Sequence, residues 1–169
     1  GCTPSEVRKL CRLAHADNRY DLIEQWYGGY RFGDGPSLCN PRDICNYLNA
    51  LGLNPSASPE VYCQMYPDES GCTDFVREVL EGADSDTIAA LAHLASGESM
   101  VVSMNDSLNC ANYRERPENV WPLLYHTGYL TRADVRESGE EYATLTIPNR
   151  KVGRILQRWL ASLPGTAQT

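Results

Sequence analysis

The sequence predicts a mainly α-helical fold with a small β component. Apolar residues recur at three- and four-residue spacing in most stretches long enough to show a period, Pro, Asn, Asp and Gly punctuate the ends of those stretches, and strand-like runs are few and short. At 169 residues the chain can bury roughly 70% of its extended surface, enough to fold without disulfide staples.

The first helix is expected from Pro4 to about Ala16, with Thr3 as cap, Pro4 at the first helical position, Glu6 at N3, and Val7, Leu10, Cys11 and Ala14 on one face. Leu22, Ile23 and Trp26 continue a second short helix, which Gly28-Gly29 stops. Tyr30-Arg31-Phe32 then reads as extended, before a turn at Gly33-Asp34-Gly35-Pro36. Asn40 caps a third helix that begins at Pro41, places Asp43 near its positive end, and should stop at Gly52. Residues 53–71 carry three prolines and form an irregular connection.

Two helices follow, Thr73–Glu81 and Ser85–Ala95, the second carrying Ile88, Leu91, Ala92 and Ala95 at helical spacing after an Asp84–Thr87 start. Met100–Met104 is a short strand candidate, and Pro117 opens a helix through Trp121, Leu124 and Tyr125 toward Gly128, with Pro122 tolerated in its first turn. Tyr129–Thr131 and Tyr142–Ile147 flank a long acidic loop as a hairpin, and Pro148-Asn149 leads into a last helix that Pro164-Gly165 ends. Its apolar face is Val152, Ile155, Leu156, Trp159, Leu160 and Leu163, with Arg150, Arg154 and Arg158 four residues apart on another. The order helix, strand, strand, helix over 117–163, with 100–104 as a third strand, fits a winged-helix-like unit.

Composition narrows the function classes. A net charge of −7 argues against nonspecific attraction to nucleic acid or anionic membranes, although the last 28 residues carry four basic and no acidic side chains. No apolar run is long enough for a transmembrane helix and no signal peptide is present. The seven cysteines, at 2, 11, 39, 45, 63, 72 and 110, form no CxxC pair, and their odd total favours free thiols in a cytoplasmic protein. The competing reading is a secreted disulfide protein, to which the sequon Asn105-Asp106-Ser107 lends weak support.

Motifs for catalysis are missing. There is no phosphate loop of the form GxxxxGK[ST], no HExxH, no Cys/His cluster and no GxSxG, so neither a nucleotide-binding enzyme, nor a metal site, nor a serine hydrolase is written in the sequence. His15, His93 and His126 are isolated, and the carboxylate pairs Asp84/Asp86 and Glu140/Glu141 sit in polar turns where capping and solvation are the ordinary roles. An enzyme assembled from residues distant in sequence stays open at this stage.

The densest chemistry lies in Trp26-Tyr27-Gly28-Gly29-Tyr30-Arg31-Phe32. One reading is a core corner with Arg31 stacked on an aromatic. The other has Arg31, or Arg42, reaching a nucleotide phosphate held by a different domain, because guanidinium matches phosphate oxygens in a two-pronged fashion. Arg150, Arg154 and Arg158 form either a solvated face or a docking surface for an acidic protein partner. Nucleic acid is disfavoured, since the helix before the hairpin, 117–127, holds no Arg or Lys.

Four stretches, WYGGYRF at 26–32, NPRDICNYL at 40–48, VWPLLYHTGYLT at 120–131 and LTIPNRKV at 145–152, make the chain resemble the C-terminal part of AAA-ATPase-like domains often followed by a PD-(D/E)XK-type nuclease. The residues that carry the resemblance are Trp26, Tyr27, Gly28, Gly29, Tyr30, Phe32, Asn40, Pro41, Gly128, Tyr129, Pro148 and Asn149. The family commonly has Asp where Gly28 stands and an aromatic where Arg42 stands. The resemblance implies a helical lid-like bundle over 3–57, a helical connection with a short strand over 58–116, a winged-helix-like subdomain over 117–163 and a tail over 164–169. It also implies that an upstream core, absent from these residues, binds ATP with Mg, and that the chain itself holds no cofactor and is not an enzyme. Its expected role is that of a regulatory or protein-interaction module, partnered by another protein or by a further domain of the same polypeptide.

Overall fold

The computed structural model describes residues 1–60, 71–104, 115–134 and 141–163. Within them run α1 (Pro4–Leu13), α2 (Tyr20–Tyr27), α3 (Pro41–Leu53), α4 (Gly71–Glu81), α5 (Ser85–Ala95), β1 (Met100–Ser103), α6 (Val120–His126), β2 (Thr131–Arg132), β3 (Tyr142–Thr146) and α7 (Arg150–Ser162). The architecture is mainly α with a small three-stranded sheet. The sequon at 105–107, the residues 61–70 of the Pro-rich connection, the hairpin loop 135–140 and the Pro164-Gly165 stop with its tail lie outside the described residues. No described helix is long and apolar enough to cross a membrane.

Two compact units share the chain: Gly1–Glu69 with Asn149–Lys151, and Ser70–Pro148 with Val152–Thr169. In the first, α1 opens with a capping box in which the Glu6 N–H donates to Thr3 Oγ1 (3.3 Å) and the Thr3 N–H donates to Glu6 Oε2 (2.8 Å). These bonds hold the Glu6 carboxyl below its ordinary range. The helix ends at Leu13, short of the expected Ala16, because His15 turns left-handed (φ 53°). Its N–H then donates to the Arg12 carbonyl and the Ala16 N–H to Cys11, the paired bonds of a Schellman ending.

Helix α3 starts as expected, with Asn40 Oδ1 accepting from the N–H groups of Arg42 and Asp43 and Pro41 at the first position. Gly52 does not end it. The helix continues to Leu53 and leaves through an extended Asn54, since one glycine costs only about 1 kcal/mol in a helix. Val7, Cys11, Ile23, Trp26, Tyr27, Ile44 and Tyr47 build this unit's core, with the Tyr27 and Tyr47 rings 5.9 Å apart.

In the second unit Asp84 caps α5 by accepting from the Thr87 N–H at 2.8 Å, which lowers the carboxyl's pKa. The buried stripe of α5 is Thr87, Leu91 and Leu94, while Ala92 is exposed. Of the expected face Leu91 is buried and Ile88 and Ala95 are half-buried, Ala95 against the core, so the correction is confined to exposed Ala92 and to Leu94, which is fully buried without having been expected there. Strand order is β1-β3-β2, all antiparallel, with Met100 opposite Leu145 and Thr131 opposite Thr146. Val102, Ala143 and Leu145 face inward, and Val101 and Tyr142 outward. The paired hairpin is shorter on both sides than its expected spans.

Pro122 is the third residue of α6, where a helix has no internal acceptor for an N–H. Past the Thr127 cap, Gly128 (φ 84°) donates to the Tyr125 carbonyl and Tyr129 to Leu124, a second Schellman ending that suits glycine. Leu124, Leu130, Leu145 and Leu156 are fully buried, and Trp159 packs on Tyr129 with centroids 5.3 Å apart.

Candidate functional site

Three of the four stretches that carry the resemblance meet in the first unit. Helix α2 stops where Gly28 leaves helical space (φ −98°, ψ −155°) while its N–H still donates to the Glu24 carbonyl. A Cβ on residue 28 would lie 2.6 Å from that carbonyl oxygen and 3.0 Å from Cys39 Sγ. The Asp that the resembled family commonly carries there does not fit this backbone. Gly29 follows with its N–H on Ser37 Oγ (3.1 Å), and Tyr30 exchanges both backbone bonds with Leu38. Residues 30–38 are therefore a small hairpin, with Arg31 and Phe32 exposed beside its turn.

The returning arm of that hairpin supplies Asn40, whose N–H donates to the Tyr27 carbonyl (3.0 Å). Residues 149–151 complete the arrangement. Asn149 is buried and donates from Nδ2 to the Gly28 carbonyl at 2.8 Å. Lys151 Nζ donates to both oxygens of Asp43, at 2.8 and 3.0 Å, and the two side chains are only 12% and 10% exposed. A charge pair this dry is stable only because each partner neutralises the other.

Most residues that carry the resemblance thus have structural work. Trp26 and Tyr27 are core, Gly28 and Gly29 shape the turn, Asn40 and Pro41 start α3, Gly128 and Tyr129 end α6, and Asn149 ties a loop carbonyl. Pro148 is half-buried immediately before Asn149. What the motif stretches leave on the surface are Arg31, Phe32, Pro41, Arg42, Cys45, His126 and Arg150, among which the arginines are the charged groups. Along α7, Arg150, Arg154 and Arg158 are all exposed, while Val152, Leu156 and Trp159 are buried.

The sequence reading missed Lys151 as a partner for Asp43, which it had placed only as a charge suited to a helix start. A buried lysine is rare without a counter-ion, but nothing in the sequence marks Lys151 as buried. The free state of the cysteines described is as the sequence leads one to expect, but the opposition of two of them is not legible in it. Cys2 and Cys39 face each other in an antiparallel bridge, and among the described side chains Cys2, Cys11, Cys39 and Cys45 are free thiols. Burial first, then Glu24, pushes the Cys39 thiol from 9.0 up to about 11.

The second unit holds a cleft of about 490 Å³ lined by Glu78, Val79, Asp84, Thr87, Arg116 and Val120, among others. Asp84 is already engaged as the cap of α5. Among the described residues no group of three His, Cys, Asp or Glu side chains is placed to hold a metal ion. No protein-family model matches the chain, and neither the curated proteins nor the solved structures contain a match.

Proposed function

We propose that the chain is a non-catalytic regulatory or protein-interaction module of the cytoplasm, related to the lid region of AAA-like ATPases, and that it docks an acidic protein surface through α7. The observation that carries the reading is the exposed series Arg150, Arg154 and Arg158 on a helix whose opposite side is anchored by Val152, Leu156 and Trp159. Such a series speeds encounter with an acidic patch and selects its orientation. The partner is another protein or a further domain of the same polypeptide. ATP with Mg would be held by that further domain, with the exposed Arg31 as the residue of this chain that reaches its phosphates.

The β1-β3-β2 order, with α6 directly before β2, supports a winged-helix-like reading of the second unit. Reading of bases is disfavoured by the same helix. Val120 to Leu124 are all buried and α6 holds no Arg or Lys, whereas a recognition helix presents such side chains to the groove.

The test is a triple reversal of Arg150, Arg154 and Arg158 to Glu in a chain whose folding is checked by circular dichroism. Salt-sensitive association with the protein partner should be lost. Unchanged affinity and unchanged salt dependence would end the docking reading, and tight ATP binding with turnover by the chain alone would end the non-catalytic one.

A further inference from the structure

Cys2 and Cys39 are directly opposed across an antiparallel bridge, and they exchange both backbone hydrogen bonds, Cys2 N–H to the Cys39 carbonyl at 2.9 Å and Cys39 N–H to the Cys2 carbonyl at 2.8 Å. Residues paired in this way have Cα atoms about 5.5 Å apart, within the roughly 4.4–6.8 Å that a disulfide spans, while their Cβ atoms stand about 5.5 Å apart, so closure to the roughly 3.5–4.5 Å of a disulfide draws the two segments together. Opposed residues also project from the same face of the ribbon. That face is the inner one: Cys39 is a buried member of the first unit's core and Cys2 packs against the same cluster, half-covered. Cys11 is buried on α1 and Cys45 exposed on α3, and neither has this register with another cysteine.

We propose that Cys2 and Cys39 form a redox-active pair that closes into an intramolecular disulfide when the chain meets a disulfide oxidant of the glutathione class. Cys2, the more accessible of the two, is the point of entry. Its thiol loses a proton, the thiolate attacks one sulfur of the oxidant, and one reduced thiol leaves with that proton. The Cys39 thiol then loses its proton and attacks Cys2 Sγ, the mixed disulfide breaks, and the second reduced thiol leaves. Two protein thiols and one small-molecule disulfide become one protein disulfide and two small-molecule thiols.

Burial raises both thiols above their ordinary range, which lowers their thiolate fraction at neutral pH and slows each attack. Closure would join the segment before α1 to the residue that precedes the Asn40 cap, and so fasten α1, α2 and the 30–38 hairpin within one covalent loop. Loop closure of that kind acts on the unfolded chain by removing its freedom.

The experiment equilibrates the full chain in glutathione buffers from reducing to oxidising, traps remaining thiols by alkylation, and maps disulfides by non-reducing digestion and mass spectrometry. The expected result is a Cys2–Cys39 linked peptide that persists in Cys11→Ser and Cys45→Ser and is lost in Cys2→Ser. The thermal midpoint should rise on oxidation by roughly 10 °C, return on reduction, and stay fixed in Cys2→Ser. A glutathione adduct on Cys2 that never resolves, a link to any other cysteine, covalent dimers, or unchanged thiols in the most oxidising buffer would each overturn the proposal.

Discussion

A methyl group on residue 28 would stand 2.6 Å from the Glu24 carbonyl oxygen, a contact that carbon and oxygen do not make without a shift of backbone. Gly28→Ala should therefore destabilise the first unit by about 2–3 kcal/mol, read as a lower denaturant midpoint; an unchanged midpoint would mean that the end of α2 is soft. Cys39 sets a second residue-scale expectation. Its thiol titrates from 9.0 in the unfolded chain to about 11 in the fold. The folded state thus holds the proton that the unfolded state releases, so this contribution is intact below pH 9.0 and is lost as pH rises toward about 11. A midpoint that falls over this window in the native chain, and falls less in Cys39→Ala, is the expected outcome. The raised Tyr47 phenol, buried and donating to the Ala57 carbonyl at 3.0 Å, adds to the alkaline loss in both. Residue identity alone revealed the glycine pair as a turn, but not what crowds it, because the sulfur comes from the 30–38 hairpin's returning arm and the carbonyl contact depends on how α2 unwinds at Gly28.

Helices were the most legible part of the sequence, since caps and apolar spacing are local. Thr3 with Glu6, Asn40 with Pro41, and Asp84 all start helices where their chemistry says they should. Endings were harder. His15 performs a glycine's left-handed role, which no composition rule would assign to it, and Gly52 passes inside α3. On α5 the expected face holds at Leu91 and in part at Ile88 and Ala95, and fails at Ala92, since an alanine contributes little burial and Leu94 takes the core position instead. For α7 the amphipathic reading is quantitative. Trp159 is 8% exposed, and Trp159→Ala should cost about 3–5 kcal/mol in chemical unfolding. Arg154→Ala, on the exposed side, should stay within about 0.5 kcal/mol. Equal losses would show that the helix packs by a different side.

The pairing of Asp43 with Lys151 spans 108 positions of sequence, and that of Asn149 with Gly28 spans 121. No periodicity or motif spacing reports on contacts at such range, which is why the resemblance stretches could be quoted one by one while their meeting point could not. Lys151→Met should destabilise the chain by about 3–5 kcal/mol, because it strands the Asp43 carboxylate in a nearly dry site. The double variant Asp43→Leu with Lys151→Met should recover much of that loss, since it removes both charges together. If the single and double variants lose the same stability, the pair's charges are already well solvated and its geometry matters little.

The first unit's discontinuity also sets a timetable for synthesis. A ribosome adds about 5–20 residues per second, so the 108 positions between Asp43 and Lys151 amount to roughly 5–20 s during which the carboxylate has emerged without its partner, and the Gly28 carbonyl waits 121 positions for Asn149. Residues 1–60 can form helices in that interval. The unit closes only when its final tripeptide, Asn149–Lys151, arrives, so the segment made first is the one that finishes maturing among the last.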